Sequence, residues 1–196
     1  MAMNSKAKPA LILIDIQQGF DDPRWGRRNN PRAESNAAQL LSEWRNRRAP
    51  IFHVQHSSRF PDSPLRPDQP GWEIKKEVAP QPGEARITKN VNSCFIGTAL
   101  EQELRKQGIS HVVLCGLTTD HCVSTSARMA ANLGFTVYVS SDATATFDRT
   151  GPDGKSYPAQ QIHETELASL HEEFATVATS EQIIANIFGH AEAKRA

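Results

Sequence analysis

Apolar positions along the chain fall into two alternating patterns. Six short runs are apolar at nearly every position or rich in β-branched residues: Ala10–Asp15, Ile51–His56, Arg86–Lys89, His111–Cys115, Thr136–Val139 and Ala175–Ala178. Runs of this length read as strands. Ala10-Leu11-Ile12-Leu13-Ile14 has no polar face, so it belongs in a sheet covered on both sides, as parallel sheets are. Between the runs the apolar spacing turns helical. Ala33 to Arg48 places Ala37, Leu40, Leu41 and Trp44 on one face. Phe95 to Gln107 reads as a helix stopped by Gly108, and Ser124 to Leu133 as one closed by Gly134. A fourth helix has Pro158 in its first turn and runs to about Glu173, with Ile162, Leu167 and Leu170 inward. Ser180 is the expected cap of a closing helix through Ile187.

Strands alternating with helices, without an internal repeat, predict an α/β fold: a Rossmann-like three-layer α/β/α arrangement around a mostly parallel sheet of about six strands. The reading is one domain over residues 1–196, with polar, flexible tails at 1–9 and 189–196. Three irregular stretches interrupt it: Phe20–Asn30, the proline-rich Ser57–Gly83, and Ser140–Tyr157. Trp72 and Ile74 are the expected anchors of the second. A connection that long is usually functional or part of an interface.

Composition mainly excludes. Lys plus Arg is 22 and Asp plus Glu is 22, a net charge of zero, which argues for neither nucleic acid nor an anionic membrane as partner. No apolar stretch is long enough to span a bilayer. The first residues lack a signal-type apolar segment, so the expected location is cytoplasmic. Cys94, Cys115 and Cys122 form no paired framework and no Cys-x-x-Cys.

The candidate chemistry lies at strand ends. Cys122 follows the His111–Cys115 run within Gly116-Leu117-Thr118-Thr119-Asp120-His121-Cys122-Val123, at a strand-to-helix turn. There, unpaired backbone N–H groups and the helix dipole favour a thiolate, and the same N–H groups can receive an oxyanion. By position alone, Cys122 is equally a small buried hydrophobe. Asp15 ends the first strand and Lys89 the third. Parallel strands place their carboxyl ends on one edge of the sheet, where open α/β folds bind ligands. If the three converge, Lys89 lowers the thiol pKa, Asp15 takes and returns a proton, and Cys122 attacks a carbonyl.

These residues also carry a resemblance. Leu13-Ile14-Asp15-Ile16-Gln17-x-x-Phe20, Lys89 followed by Ser93-x-Phe95-x-Gly97-Thr98-x-Leu100, and Gly116-x-x-Thr119-Asp120-x-Cys122-Val123 are similar to the motifs of the isochorismatase-like cysteine hydrolases. That family includes nicotinamidases, N-carbamoylsarcosine amidases and ureidoacrylate amidohydrolases. The resemblance extends from Ala10 to about Ile187. It implies an Asp15, Lys89, Cys122 triad and a cis peptide at Leu117-Thr118 that aims the oxyanion donors of that turn and of Cys122. True isochorismatases commonly lack this cysteine, so its presence points to C–N hydrolysis. Gln17, Phe20, Trp25, His56 and Phe95 are the expected substrate-binding residues. A dimer or tetramer is also implied.

Nicotinamidases of the family carry an Asp-x-His metal motif after the second strand. Here that region reads His53-Val54-Gln55-His56. The two histidines are three apart on a strand and face opposite ways, so no metal and no other cofactor is expected, and nicotinamide is disfavoured as substrate. The expected function is metal-independent hydrolysis of a small amide, ureido or carbamoyl compound through a thioester. The alternatives are a vinyl-ether hydrolase and a non-catalytic small-molecule-binding or scaffold protein. Trp25 with Arg24, Arg27 or Arg28 either closes the pocket or forms a plain solvated loop.

Overall fold

A computed structural model describes residues 9–192. The elements run β1 (Ala10–Ile14), α1 (Ala33–Asn46), β2 (Ile51–His56), β3 (Ala85–Lys89), α2 (Leu100–Lys106), β4 (His111–Leu117), α3 (Ser124–Asn132), β5 (Thr136–Ala145), β6 (Arg149–Thr150), β7 (Ser156–Tyr157), α4 (Ala159–Leu170), β8 (Thr176–Ala178) and α5 (Ser180–Glu192). Six strands form one sheet in the order β3-β2-β1-β4-β5-β8, and every pair is parallel. The order steps outward from β1 to β3 on one side, then restarts at β4 on the other. The topological switch point therefore lies between β1 and β4.

Side-chain alternation along the strands builds two cores. Ile12, Ile14, Val54, Val112, Leu114 and Val139 pack on α2, α3 and α4 through Leu104, Ala127 and Leu167. Leu11, Leu13, Val113 and Cys115 pack on α1 and α5 through Leu40, Trp44 and Ile183. These are the three layers the apolar runs predict. No helix among the described residues is long and apolar enough to cross a membrane.

Several boundaries differ from the sequence reading. The helix expected from Phe95 begins at Leu100. Gly97 has φ 69°, and the Thr98 hydroxyl donates to the Cys94 carbonyl while accepting the Leu100 N–H, so 95–99 is a turn. The expected loop from Ser140 is partly strand. After an irregularity at 140–143, β5 rejoins β4 through Gly116↔Thr144 and Leu117↔Ala145. The rest of that loop carries the small antiparallel pair β6–β7. In α4 the buried position is His163 rather than Ile162. Ser180 does not cap α5. Thr179 does, since its Oγ1 accepts the Gln182 N–H while the Gln182 side chain accepts the Thr179 N–H, a reciprocal capping box. Ser180 instead donates to Asp142. The tail expected from Gly189 continues as helix to Glu192. Pro9 is buried, and the lead-in at 1–8 and the tail at 193–196 lie outside the described residues. In the proline-rich segment the buried anchors are Leu65 and Val78. Trp72 contributes its carbonyl, which accepts from Gln17 and Gln55, and Ile74 bridges Gln17.

Gly116 is required near the end of β4, opposite Ile14. Its φ is 122°, and a Cβ there would lie 2.0 Å from the Ile14 carbonyl oxygen. Only glycine lets β1 and β4 approach this closely at the switch point.

Candidate active site

Asp15 follows β1 with φ 52°, an uncommon backbone conformation for a residue with a side chain. Its N–H still donates to Val54 at 2.8 Å. Lys89 is the last residue of β3, in register with His56 at the end of β2. Cys122 lies in a π-helical turn, Thr119–Val123, between β4 and α3. The Leu117-Thr118 peptide is cis, as the resemblance implies. The Thr118 carbonyl accepts the N–H groups of His121 and Val123.

The three strand-end residues meet. Lys89 Nζ donates to Asp15 Oδ2 at 2.6 Å and lies 3.2 Å from Cys122 Sγ. It also lies 3.1 Å from His56 Nδ1 and 3.2 Å from the Val91 carbonyl. The Asp15 and Lys89 side chains are fully buried, and Cys122 is 8% exposed. An ammonium has three hydrogens for these four neighbours. A neutral thiol is the weakest acceptor among them, so the contact to Sγ gains most when the sulfur becomes anionic.

Electrostatics correct one expectation. Burial works against the Lys89 charge, but attraction to the Asp15 carboxylate outweighs it and holds the ammonium protonated. Burial, then the Asp15 carboxylate, pushes the Cys122 thiol well above its ordinary range, and Lys89 offsets only part of this. These surroundings favour the thiol, whereas the helix start favours the thiolate. Cys122 is nearly sealed from water, and its burial penalises the anion. Cys94, which accepts a hydrogen bond from Ser126, is pushed up to about 12 by burial. Cys115 is raised by burial as well.

His56 and His53 take different partners. His53 Nε2 pairs with Glu84 at 2.8 Å, whereas His56 faces Lys89. Burial and the Lys89 charge lower the His56 pKa. A neutral His56 whose Nδ1 meets an ammonium must accept there and carry its proton on Nε2. Asp15, His56 and Cys122 together place ligand-type atoms within 4.8 Å of one another, a grouping the sequence reading missed by weighing only the two histidines. Lys89 Nζ is in hydrogen-bond contact with all three. A divalent cation would have to displace that ammonium, so the donor set does not fit a resident metal.

The other expected site residues are placed as follows. The Gln17 amide is committed to backbone: Nε2 donates to the His56 and Trp72 carbonyls, and Oε1 accepts the His56 N–H. It fixes the end of β2 where His56 sits. Phe20, Trp25 and Phe147 pack together at ring distances of 5.3 to 6.2 Å, against Leu117 and Ala145. Phe95 belongs to the core cluster that also holds Cys122, and stacks on Phe135. Arg24 is held by Asp22 and the Asp62 carbonyl, and Arg28 by Glu34. Among the described residues only Arg27 of the three lacks a side-chain partner.

Sequence reasoning missed a second set around the turn. Arg149 donates to Asp120 through Nε at 2.8 Å and lies 3.5 Å from Thr118 Oγ1. Burial works against the Asp120 charge, yet Arg149 and Thr146 keep its pKa below the usual carboxylate value. His163 Nδ1 pairs with Thr119 Oγ1 at 2.8 Å, which ties the turn to α4. Asn92 lies 3.9 Å from Cys122 Sγ. Asp120 stands inside a recognisable motif, but nothing in the sequence links Arg149 or His163 to it.

The architecture is that of a doubly wound α/β protein whose buried polar cluster sits at the sheet's switch point. The chain belongs to the isochorismatase family of hydrolases: the model of the Isochorismatase domain matches residues 9–182. It is 48% identical to the isochorismatase-family protein YrdC of Bacillus subtilis (strain 168) over 177 residues, covering 90% of this chain and 95% of that one. The crystal structure of an isochorismatase-family protein from Chromobacterium violaceum superposes with a TM-score of 0.90 at 45% identity, over 95% of this chain and 96% of the other. The N-carbamoylsarcosine amidase of Thermoplasma acidophilum superposes at 0.70 and 26% identity, over 89% of this chain and 97% of that one.

Proposed function

We propose that the protein is a metal-independent cysteine hydrolase that opens a C–N bond of a small amide, ureido or carbamoyl compound. The observation that carries this reading is Lys89 Nζ in contact with both Asp15 Oδ2 and Cys122 Sγ, in a buried site at the switch point. In this reading Cys122 attacks the carbonyl carbon as its proton passes to Asp15. Lys89 stabilises the sulfur as it becomes negative. The backbone N–H groups of Cys122 and of the Leu117-Thr118 turn receive the oxyanion. Asp15 then returns the proton to the leaving amine, and water hydrolyses the thioester. The named activity of the N-carbamoylsarcosine amidase supports C–N cleavage as the reaction class.

The test is a screen of primary amides, ureido acids and N-carbamoyl amino acids for ammonia release. Cys122→Ala is expected to abolish release while the fold survives, and exhaustive chelation to leave the wild-type rate unchanged. Ammonia release persisting in purified Cys122→Ala would sink the covalent mechanism. Loss of rate on chelation, restored by zinc or iron, would sink metal independence.

A further inference from the structure

We infer that Asn92 is the specificity-determining residue of this site: its side-chain amide pairs with an N–H carried by the acyl group under attack at Cys122. The inference rests on Cys122 being the nucleophile proposed above.

Asn92 Oδ1 lies 3.9 Å from Cys122 Sγ, and the amide has no other hydrogen-bond partner among the described residues. The residue is exposed, so it faces the side from which a substrate reaches the sulfur. Its backbone is held on both flanks. The Val91 carbonyl accepts from Lys89 Nζ. The Ser93 hydroxyl accepts the Phe95 N–H, and the Cys94 N–H donates to Ser126. The amide is thus presented over the thiol by an ordered segment, while nearby polar groups are already engaged. Gln17 is spent on backbone, Lys89 Nζ on its own four contacts, and Arg149 on Asp120.

A free side-chain amide beside the nucleophile is complementary to a planar O=C–N–H unit. Its oxygen accepts an N–H, and its nitrogen donates to an oxygen. An acyl group with a methyl in place of the amino group has the same shape and lacks the donor. A site with a preplaced acceptor discriminates against such an analogue, because the acceptor is then left unpaired. The preferred acyl group is therefore carbamoyl, with an amino group on the carbonyl carbon, rather than acetyl.

Two activated esters test this without knowledge of the natural substrate: p-nitrophenyl carbamate and p-nitrophenyl acetate, at pH 6. With either, a C–S bond forms, the C–O bond to p-nitrophenolate breaks, and the thiol proton passes to Asp15. The first turnover is read as a p-nitrophenolate burst, with Cys122→Ala correcting for spontaneous release. Asn92→Ala is expected to slow the carbamate burst about tenfold, the scale of one hydrogen bond, and to leave the acetate burst within about twofold. Asn92→Asp keeps the acceptor oxygens, so its carbamate-to-acetate ratio should stay near wild type even if both rates fall. Equal effects of Asn92→Ala on the two esters, or none, would overturn the role of Asn92 while leaving Cys122 as nucleophile. No Cys122-dependent burst with either ester would overturn both.

Discussion

At the scale of single residues the resting proton position governs the chemistry. Asp15 raises the Cys122 pKa and Lys89 lowers it. Removing the carboxylate removes a raising influence and leaves the lowering one, so the thiol pKa falls. Asp15→Asn should therefore be alkylated at Cys122 by iodoacetamide faster than wild type at pH 8, by several-fold. The same variant should lose about a hundredfold or more in turnover, because the proton acceptor is gone. Mass spectrometry of the labelled peptide separates Cys122 from the buried Cys94 and Cys115. Slower alkylation of Asp15→Asn than of wild type would contradict this account of the thiol.

At the scale of elements, the approach of β1 and β4 sets where the catalytic edge lies. Gly116 sits in β4 opposite Ile14, with no room for a Cβ at its φ of 122°. Gly116→Ala must push the two strands apart or rotate the peptide. Strain of this kind at a special backbone position reaches about 4 kcal/mol, and urea unfolding of the variant should register a loss of that order. Gly134, with open space around it and φ 85°, is a control: alanine there should cost about 1 kcal/mol. Equal losses at the two positions would rule out the close-approach explanation.

At the scale of the whole molecule, one partly buried ion network joins the proline-rich segment to the loop after β1 and the start of α1. Glu34, in the first turn of α1, pairs with Arg28 of the loop after β1 and with Lys75 of the proline-rich segment, which also meets Asp21. Burial works against the Glu34 charge, but hydrogen bonds and attraction from Arg28 and Lys75 outweigh it and bring its pKa down to about 2. A depressed carboxylate contributes stability above its unfolded value, here 4.5, and the contribution fades as pH falls toward 2. Glu34→Gln should therefore lower stability by about 3 kcal/mol at pH 7. It should also flatten the loss of wild-type stability between pH 5 and pH 2. Denaturant midpoints across that range measure both, and an unchanged acid limb would refute the assignment.

By itself the sequence determined the layers, the six runs that form the main sheet, and Asp15 and Lys89 at the ends of the first and third. Those features follow from local periodicity: apolar runs without a polar face demand a covered sheet, and helical spacing supplies the cover. Asp15, Lys89 and Cys122 were legible as candidates because each punctuates such a run. Tertiary structure alone decided the rest. That the three side chains meet around one ammonium depends on the order β3-β2-β1-β4, which brings ends 74 residues apart, Lys89 and Asp15, into a 2.6 Å contact. Whether the sulfur rests as thiol or thiolate depends on how much water reaches it, and burial is a property of packing. The continuation of β5 past Ser140 was hidden because Ser140, Ser141 and Asp142 are polar, and the strand is recovered only by pairing with β4. Asn92, Arg149 and His163 gain their places at the site from a loop, a short strand and a helix that have no periodic signal pointing there. Local pattern specifies which faces must be covered, whereas side-chain chemistry at a site depends on distances between segments that the pattern does not encode.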